Sequence, residues 1–259
     1  MSDIWQTVVL GVIEGITEFL PVSSTGHLLI AEHWLGERSD LFNVGIQAGA
    51  ILAVLLIYWG RIQRLITHLN EPDSRDYLAK LVVAFLITAV GGFIATKLGF
   101  KLPEAVVPIA IALIIGGIAI LLIERLVGNR PAVTTVTWNV AIWVGTIQIL
   151  AGIFPGTSRS AATIFAAMLA GLTARAAATE FAFLVGIPTM FAASGYLLLK
   201  SHAEAGSEDW NALILGFVIS GVVAFVAVKW LLRYIQTHRF TIFAWYRIVF
   251  GALILAFAR

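Results

Sequence analysis

Long apolar runs alternate with short polar breaks along the whole chain, and a run of about twenty residues is what an α-helix needs to cross a hydrocarbon core. Residues 41–60, 78–98, 105–126, 177–199, 211–232 and 241–258 each read as such a span. The runs are continuous rather than alternating, which excludes the dyad pattern of a membrane β-barrel. Two further apolar stretches are interrupted. Residues 4–20 carry Glu14 and Glu18 and stop at Pro21, and residues 24–35 follow as a second short helical piece that Ser23 or Ser24 would cap. Residues 138–154 stop at Pro155-Gly156, and a short helix follows from about Ser160 to Ala170. These pieces are too short to span comfortably, so each pair reads as a re-entrant helical hairpin. Non-helical backbone at that depth is tolerated only where protein or a wet cavity covers it. The expected fold is an all-α polytopic membrane protein, with about six full transmembrane helices and two re-entrant helical hairpins, in a single integral membrane domain over 1–259.

Composition agrees with the pattern. The chain is 59% hydrophobic and 12% charged, with a mean hydropathy of +0.93, well outside the range of soluble domains. The absence of cysteine excludes disulfides and thiolate metal sites. A net charge of +2 with no basic patch interleaved with aromatics gives no reason to expect nucleic-acid binding. The first residues lack a positive n-region and glutamates interrupt the first apolar run, so a cleaved signal peptide is not expected. Trp5, Trp34, Trp59, Trp138, Trp210 and Trp245 fall near predicted ends, as an aromatic belt would.

Loop charges give an orientation if both interrupted regions return to the side they entered from. One side then holds the loops at 61–80, 125–137, 171–176 and 229–240, with Arg61, Arg64, Arg75, Lys80, Arg125, Arg130, Arg175, Lys229, Arg233 and Arg239. The other holds Arg38, Lys97, Lys101, Lys200 and Arg259. The positive-inside tendency makes the first side cytoplasmic. The two interrupted regions also resemble each other. At an offset of 134, Glu14 falls on Gln148, Pro21 on Pro155, Ser23 on Thr157, Ser24 on Ser158 and Ile30 on Ile164. At an offset of 141, Phe42-Asn-Val-Gly-Ile falls on Phe183-Leu-Val-Gly-Ile. An inverted-topology internal repeat is expected, with halves at roughly 1–100 and 138–235. Such folds place their site where the repeats meet, with broken half-helices aiming their N-termini at an anion.

The polar residues inside these stretches are the candidate chemistry. Glu14 and Glu18 lie one helical turn apart. Each costs roughly 2.5–3.5 kcal/mol to hold ionised at the membrane centre, and they repel each other. A hard divalent cation, Mg²⁺ or Ca²⁺, would resolve both problems; protonation of one carboxyl, or reach to the surface, is the alternative. Gly156, Thr157, Ser158, Arg159, Ser160 and Thr163 combine close backbone approach, hydroxyl donors, a helix start and a guanidinium that forks onto phosphate oxygens. They describe an oxyanion cradle, against the simpler reading of a capped helix with a snorkelling arginine. His27, about one turn beyond Ser23 and Ser24, suits acid–base or nucleophilic work. The set suits metal-assisted phosphoryl transfer. Arg247 reads as snorkelling from its helix, and Gln47 and Gln148 read as hydrogen-bonding between helices. Glu180 reads as a charge at a span start, and His33, His68, His202 and His238 as solvated groups at span ends or in loops.

Glu14-Gly-Ile-Thr-Glu-Phe-Leu-Pro-Val-Ser-Ser-Thr-Gly-His27 and Pro155-Gly-Thr-Ser-Arg-Ser-Ala-Ala-Thr163 resemble the two signature motifs of the bacterial undecaprenyl-diphosphatase family, also called the bacitracin-resistance family. The resemblance extends over the whole chain. It implies a multi-pass bacterial plasma-membrane enzyme that removes the terminal phosphate of undecaprenyl diphosphate. The product would be the monophosphate carrier for cell-wall polymers. It also implies a need for a divalent cation and a site opening towards the periplasm. By position, Glu14 and Glu18 match the acidic motif that would hold the metal. Ser24, Thr25 and His27 match the catalytic motif, with Ser23 beside them. Ser158, Arg159 and Thr163 match the phosphate-binding motif. Ser24, His27 or a water activated by His27 would attack phosphorus. The expected partners are the polyprenyl diphosphate and membrane lipids, and a homodimer is compatible with the sequence. A flippase of a polyprenyl phosphate is the competing class, since inverted repeats also build transporters. A purely structural subunit is a third reading, which two polar clusters in apolar helices oppose.

Overall fold

The computed structural model describes residues 2–100, 105–200 and 209–257. Among them the chain forms α-helices and no strand. In order these are α1 (Ser2–Thr17), α2 (Ser24–Leu35), α3 (Asp40–Ile57), α4 (Trp59–Thr67), α5 (Pro72–Lys97), α6 (Val106–Val127), α7 (Trp138–Ile153), α8 (Arg159–Leu169), α9 (Arg175–Lys200), α10 (Trp210–Tyr234) and α11 (Thr241–Phe257). Five of them, α3, α5, α6, α9 and α10, are long and apolar enough to cross a membrane. The sixth expected span is α11, whose 17 residues fall just short of that length. The chain is a multi-pass, all-helical membrane protein. Lys101, His202 and Arg259, placed in loops or at the chain end from the sequence, lie outside the described residues.

Helix boundaries differ from expectation in two informative places. The first interrupted helix ends at Thr17, three residues earlier than its apolar run, because the chain turns over residues 18–22 ahead of Pro21. The segment expected as a polar loop after α3 contains α4, whose Arg61 pairs with Glu180 of α9 at 3.0 Å. Glu180 therefore acts as an ion-pair partner within α9, not as a charge at its start. The six tryptophans assigned to the aromatic belt are all exposed.

Helices meet through small residues, the usual means of close approach where lipid supplies no hydrophobic drive between helices. A methyl group on Gly49 of α3 would lie 2.2 Å from the Phe217 carbonyl oxygen of α10. One on Gly145 of α7 would lie 2.7 Å from the Ala84 carbonyl of α5, and one on Gly251 of α11 would lie 2.7 Å from the Ala110 carbonyl of α6. The closest helix pairs are accordingly α3 with α10, α6 with α11, α1 with α10 and α5 with α7.

Both interrupted pairs fold back on themselves. Arg38, just past α2, donates to Gln6 of α1 at 3.1 Å, and Asn139 at the start of α7 donates to the Ala170 carbonyl after α8 at 3.4 Å. The second pair opens beside the basic loops. There Glu124 of α6 accepts from Arg175 at 2.9 and 2.6 Å and from the Phe240 amide at 3.1 Å. The first pair opens beside the start of α3.

Candidate active site

Each broken pair restarts its second helix from a serine in a strained conformation. Ser23 has φ 76° and Ser158 has φ 68°, and among the described residues they are the only non-glycines with positive φ. Such backbone costs on the order of 1–3 kcal/mol and persists where the surroundings enforce it, most often at functional sites. The strain sets where the next residue points. Ser24, first in α2, donates its hydroxyl hydrogen to Glu18 Oε2 in a short hydrogen bond. Arg159, first in α8, donates from Nη2 to Glu18 Oε1 at 3.2 Å. Glu18 is 7% exposed and sits in the first turn after α1, where its amide still bonds the Glu14 carbonyl at 3.0 Å. One carboxylate therefore collects the leading residue of both second helices. By cap geometry Ser23 pairs with Ser158, one residue beyond the 134 offset, because the second loop holds an extra residue between proline and cap.

These residues face a cavity of about 770 Å³. Its walls include Glu18, Ser23, Ser24, Thr25, Gly156, Ser158 and Arg159, all expected at the site. Arg159 Nη1 is buried and has no hydrogen-bond partner. Space for that guanidinium comes from Gly186 of α9, where a methyl group would lie 2.2 Å from Nη1. Gln47, Gln148, Thr88 and Thr189 add polar groups to the same walls. Gln148 donates to Thr88 at 3.3 Å, the interhelical bond expected of it, yet its Oε1 is buried without a partner. Sequence reasoning missed its second role because an interhelical and a cavity-facing glutamine leave the same mark in an apolar run.

Glu14, His27, Thr157, Ser160 and Thr163, also expected at the site, are not on the cavity wall. His27 points towards α11: Nδ1 lies 2.7 Å from the Ser23 carbonyl and Nε2 lies 2.7 Å from the Tyr246 hydroxyl. A carbonyl only accepts, so Nδ1 carries the proton and Nε2 accepts from the tyrosine. The ring stacks on Phe250 with centroids 4.4 Å apart. Thr163 is fully buried and donates to the carbonyls of Arg159 at 2.8 Å and Ser160 at 3.2 Å within its own helix. Ser160 donates to the Leu20 carbonyl at 3.0 Å, tying the second helix start to the first loop. Ser158 accepts from the Ala161 amide at 3.3 Å as a helix cap. Thr157 lends its carbonyl, at 3.1 Å, to Arg247. Arg247 does not snorkel: it is 0% exposed, because five main-chain carbonyls, three at the loops and two in α6, hold its guanidinium.

The metal expectation can be tested against the donor set. Glu14 is 1% exposed and its Oε2 has no hydrogen-bond partner. Among the described residues there is no cluster of three or more His, Cys, Asp or Glu that could form an all-protein cage. Mg²⁺ is commonly held by one or two carboxylates plus substrate phosphates and water. Two carboxylates, Glu18 on the cavity wall and Glu14 buried one turn before it, match the donor chemistry of that type of site.

A multi-pass helical membrane protein, with a buried carboxylate–serine–arginine constellation on a cavity wall, is the class that fold and site define. The description "Bacitracin resistance protein BacA" belongs to the family model that matches residues 7–253. The chain belongs to that family. It is 63% identical over 255 residues to an undecaprenyl-diphosphatase of Rhizobium etli, covering 98% of this chain and 96% of the relative. It is also 62% identical over 258 residues to one from Rhizobium johnstonii, covering 99% and 97%, and 58% identical over 257 residues to one from Xanthomonas oryzae pv. oryzae, covering 98% and 97%.

Proposed function

We propose that this protein hydrolyses undecaprenyl diphosphate to undecaprenyl phosphate and inorganic phosphate. The observation that carries the reading is the Ser24 hydroxyl bound to Glu18 beside Arg159 on the cavity wall. Ser24 is oriented as the nucleophile and Glu18 as the base that takes its proton. The Ser24 oxygen forms a bond to the terminal phosphorus as the bond from phosphorus to the bridging oxygen breaks. The lipid monophosphate leaves, and water then cleaves the phosphoserine to release phosphate. Arg159, on the cavity wall, draws off charge from the phosphoryl oxygens. Thr25, Ser158 and the Gly156 backbone form the rest of the cradle, and Ser160 and Thr163 hold the start of α8 that presents Arg159. His27 steadies the Ser23 carbonyl behind the nucleophile rather than attacking phosphorus. Glu14 and Glu18 would hold a divalent cation, Mg²⁺ or Ca²⁺, which supplies charge neutralisation for the diphosphate.

The cavity wall also includes Lys97 and Tyr196, near the C-terminal ends of α5 and α9. That end lies away from the basic loops, so positive-inside orientation makes it the periplasmic end of a bacterial inner-membrane protein. Phe93, Phe100 and Ile149 give the same cavity an apolar stretch suited to the first isoprene units. The pattern of packing supports an inverted-topology repeat with re-entrant hairpins: α1 packs on α10 while α7 packs on α5, and α3 packs on α10 while α9 packs on α5. A homodimer is compatible with this reading, since every residue invoked belongs to one chain.

Phosphate release from undecaprenyl diphosphate by purified protein in detergent tests the reading. Turnover should stop with EDTA and return with added Mg²⁺ or Ca²⁺. Lipid translocation in proteoliposomes without phosphate release would instead favour a flippase. The relatives' enzyme name and a serine held by a carboxylate speak against that, because a carrier needs an anion site but no nucleophile.

A further inference from the structure

Arg247 lies in α11 with its whole side chain buried, and no carboxylate within ion-pair distance of it is found among the described residues. Its Nε donates to the Leu113 carbonyl at 3.3 Å and Nη2 to the Ala112 carbonyl at 3.3 Å, both in α6. Nη1 donates to the Pro21 carbonyl at 3.3 Å, in the first loop. Nη2 also donates to the Gly156 and Thr157 carbonyls, each at 3.1 Å, in the second loop. Gly116 of α6 leaves room for it: a methyl group there would lie 2.2 Å from Nη2 and 2.8 Å from Cζ.

An arginine inside an apolar bundle is costly unless polar partners replace its water, and such a residue is retained for a reason. Here three of the partners are backbone carbonyls at the two helix breaks, Pro21, Gly156 and Thr157, and two more, Ala112 and Leu113, belong to α6. A planar fork with five N–H groups can serve several of them at fixed angles, which a lysine ammonium cannot. Two of the three structural units it joins are the loops that carry the chemistry. Pro21 lies three residues before Ser24, and Thr157 lies two residues before Arg159. The guanidinium is not on the cavity wall, so it touches neither the reacting atoms nor the anion.

We infer that Arg247 is a positioning residue: by holding the Pro21, Gly156 and Thr157 carbonyls on one guanidinium, it fixes the distance across which Ser24 and Arg159 converge on Glu18. This inference rests on the catalytic reading of Ser24 and Arg159. It assigns α11, which contributes no residue to the cavity wall, the task of keeping the two loops in register. Gly116 is the other half of the device.

The test compares full-length wild type with Arg247→Lys, Arg247→Gln and Gly116→Ala in detergent. The readouts are kcat and KM for lipid diphosphate hydrolysis, the pH profile of kcat, and folded state by gel filtration and thermal melting. Displacement of a catalytic group by about 1 Å costs on the order of 10²-fold, so folded Arg247→Lys should lose about that much in kcat with KM changed by less than about threefold. The shape of the pH profile should not change, because Arg247 takes no part in proton transfer. Gly116→Ala, which displaces the guanidinium without removing it, should lose about tenfold in kcat. Arg247→Gln should fall below Arg247→Lys. Near-wild-type kcat in folded Gly116→Ala or Arg247→Lys overturns the inference. So does a loss of turnover that matches the loss of folded protein in all three variants. Ser24→Ala, run alongside, separates the two claims: if it keeps turnover, the catalytic reading fails rather than the role of Arg247.

Discussion

The two broken loops of this protein share one backbone device and divide the chemistry between them. Each ends a helix a few residues before a proline, turns, and restarts from a serine in a positive-φ conformation. In the first, the restart delivers a hydroxyl to Glu18; in the second, it delivers a guanidinium to the same carboxylate. The first loop brings two acids and a hydroxyl, and the second brings a cation and a capped helix start. Separately, each would leave ionised groups buried in an apolar bundle without compensation, at several kcal/mol. Together they form the Arg159–Glu18 ion pair, while Arg159 Nη1 and Glu14 Oε2 stay buried without hydrogen-bond partners. Two loops with the same positive-φ restart thus present different groups, because the residue at the first helical position differs.

That division can be broken most sharply at the first loop. Ser24→Ala should lower kcat by about 10³-fold or more, with binding retained, since it removes the attacking oxygen; steady-state phosphate release measures it. Glu18→Gln should fall nearly as far, because the amide cannot accept the serine proton and no longer pairs with Arg159. At the second loop, Arg159→Lys keeps the charge but loses the fork, and kcat/KM should drop by about 10²–10³-fold. His27→Phe keeps the stack on Phe250 but loses both hydrogen bonds. Its turnover should fall by about 10²-fold, less than for Ser24→Ala, with the pH profile of kcat unchanged in shape. A profile that loses a limb in this variant would mean that His27 transfers a proton after all. Gly186→Ala crowds Arg159 from α9 and should cost about tenfold in kcat/KM, roughly 1.4 kcal/mol. The smallest effect belongs to Thr163→Val, whose hydroxyl bonds only its own helix; folded protein should stay within about fivefold of wild type in kcat/KM. A larger loss there would put that hydroxyl on the phosphate.

Both loops were visible in the sequence, because two carboxylates, a serine pair and an arginine beside proline stand out from apolar surroundings. Most of the long spans were legible for the same reason, since an apolar run bounded by charges has few alternatives in lipid, whereas the early end of α1 and the presence of α4 were not. Other features had no local signature. Nothing in the spacing of His27 tells that its ring turns to Tyr246 of α11, some two hundred residues away. Arg247 looked like any arginine near a loop, and its role depends on carbonyls from three segments meeting at one point. Thr163 belonged to the motif by position, yet its helical turn directs the hydroxyl back to Arg159 and Ser160.

By itself, then, the sequence determined that this is a multi-pass helical protein with two interrupted helices carrying acid, hydroxyl and arginine chemistry. Those properties follow from local composition, which lipid reads one segment at a time. Only the tertiary structure decided which of the polar residues face a common cavity and which brace the loops behind it. That choice depends on convergence between segments distant in the chain, and on the small residues, Gly116 and Gly186 above all, that leave room for two buried guanidinium groups.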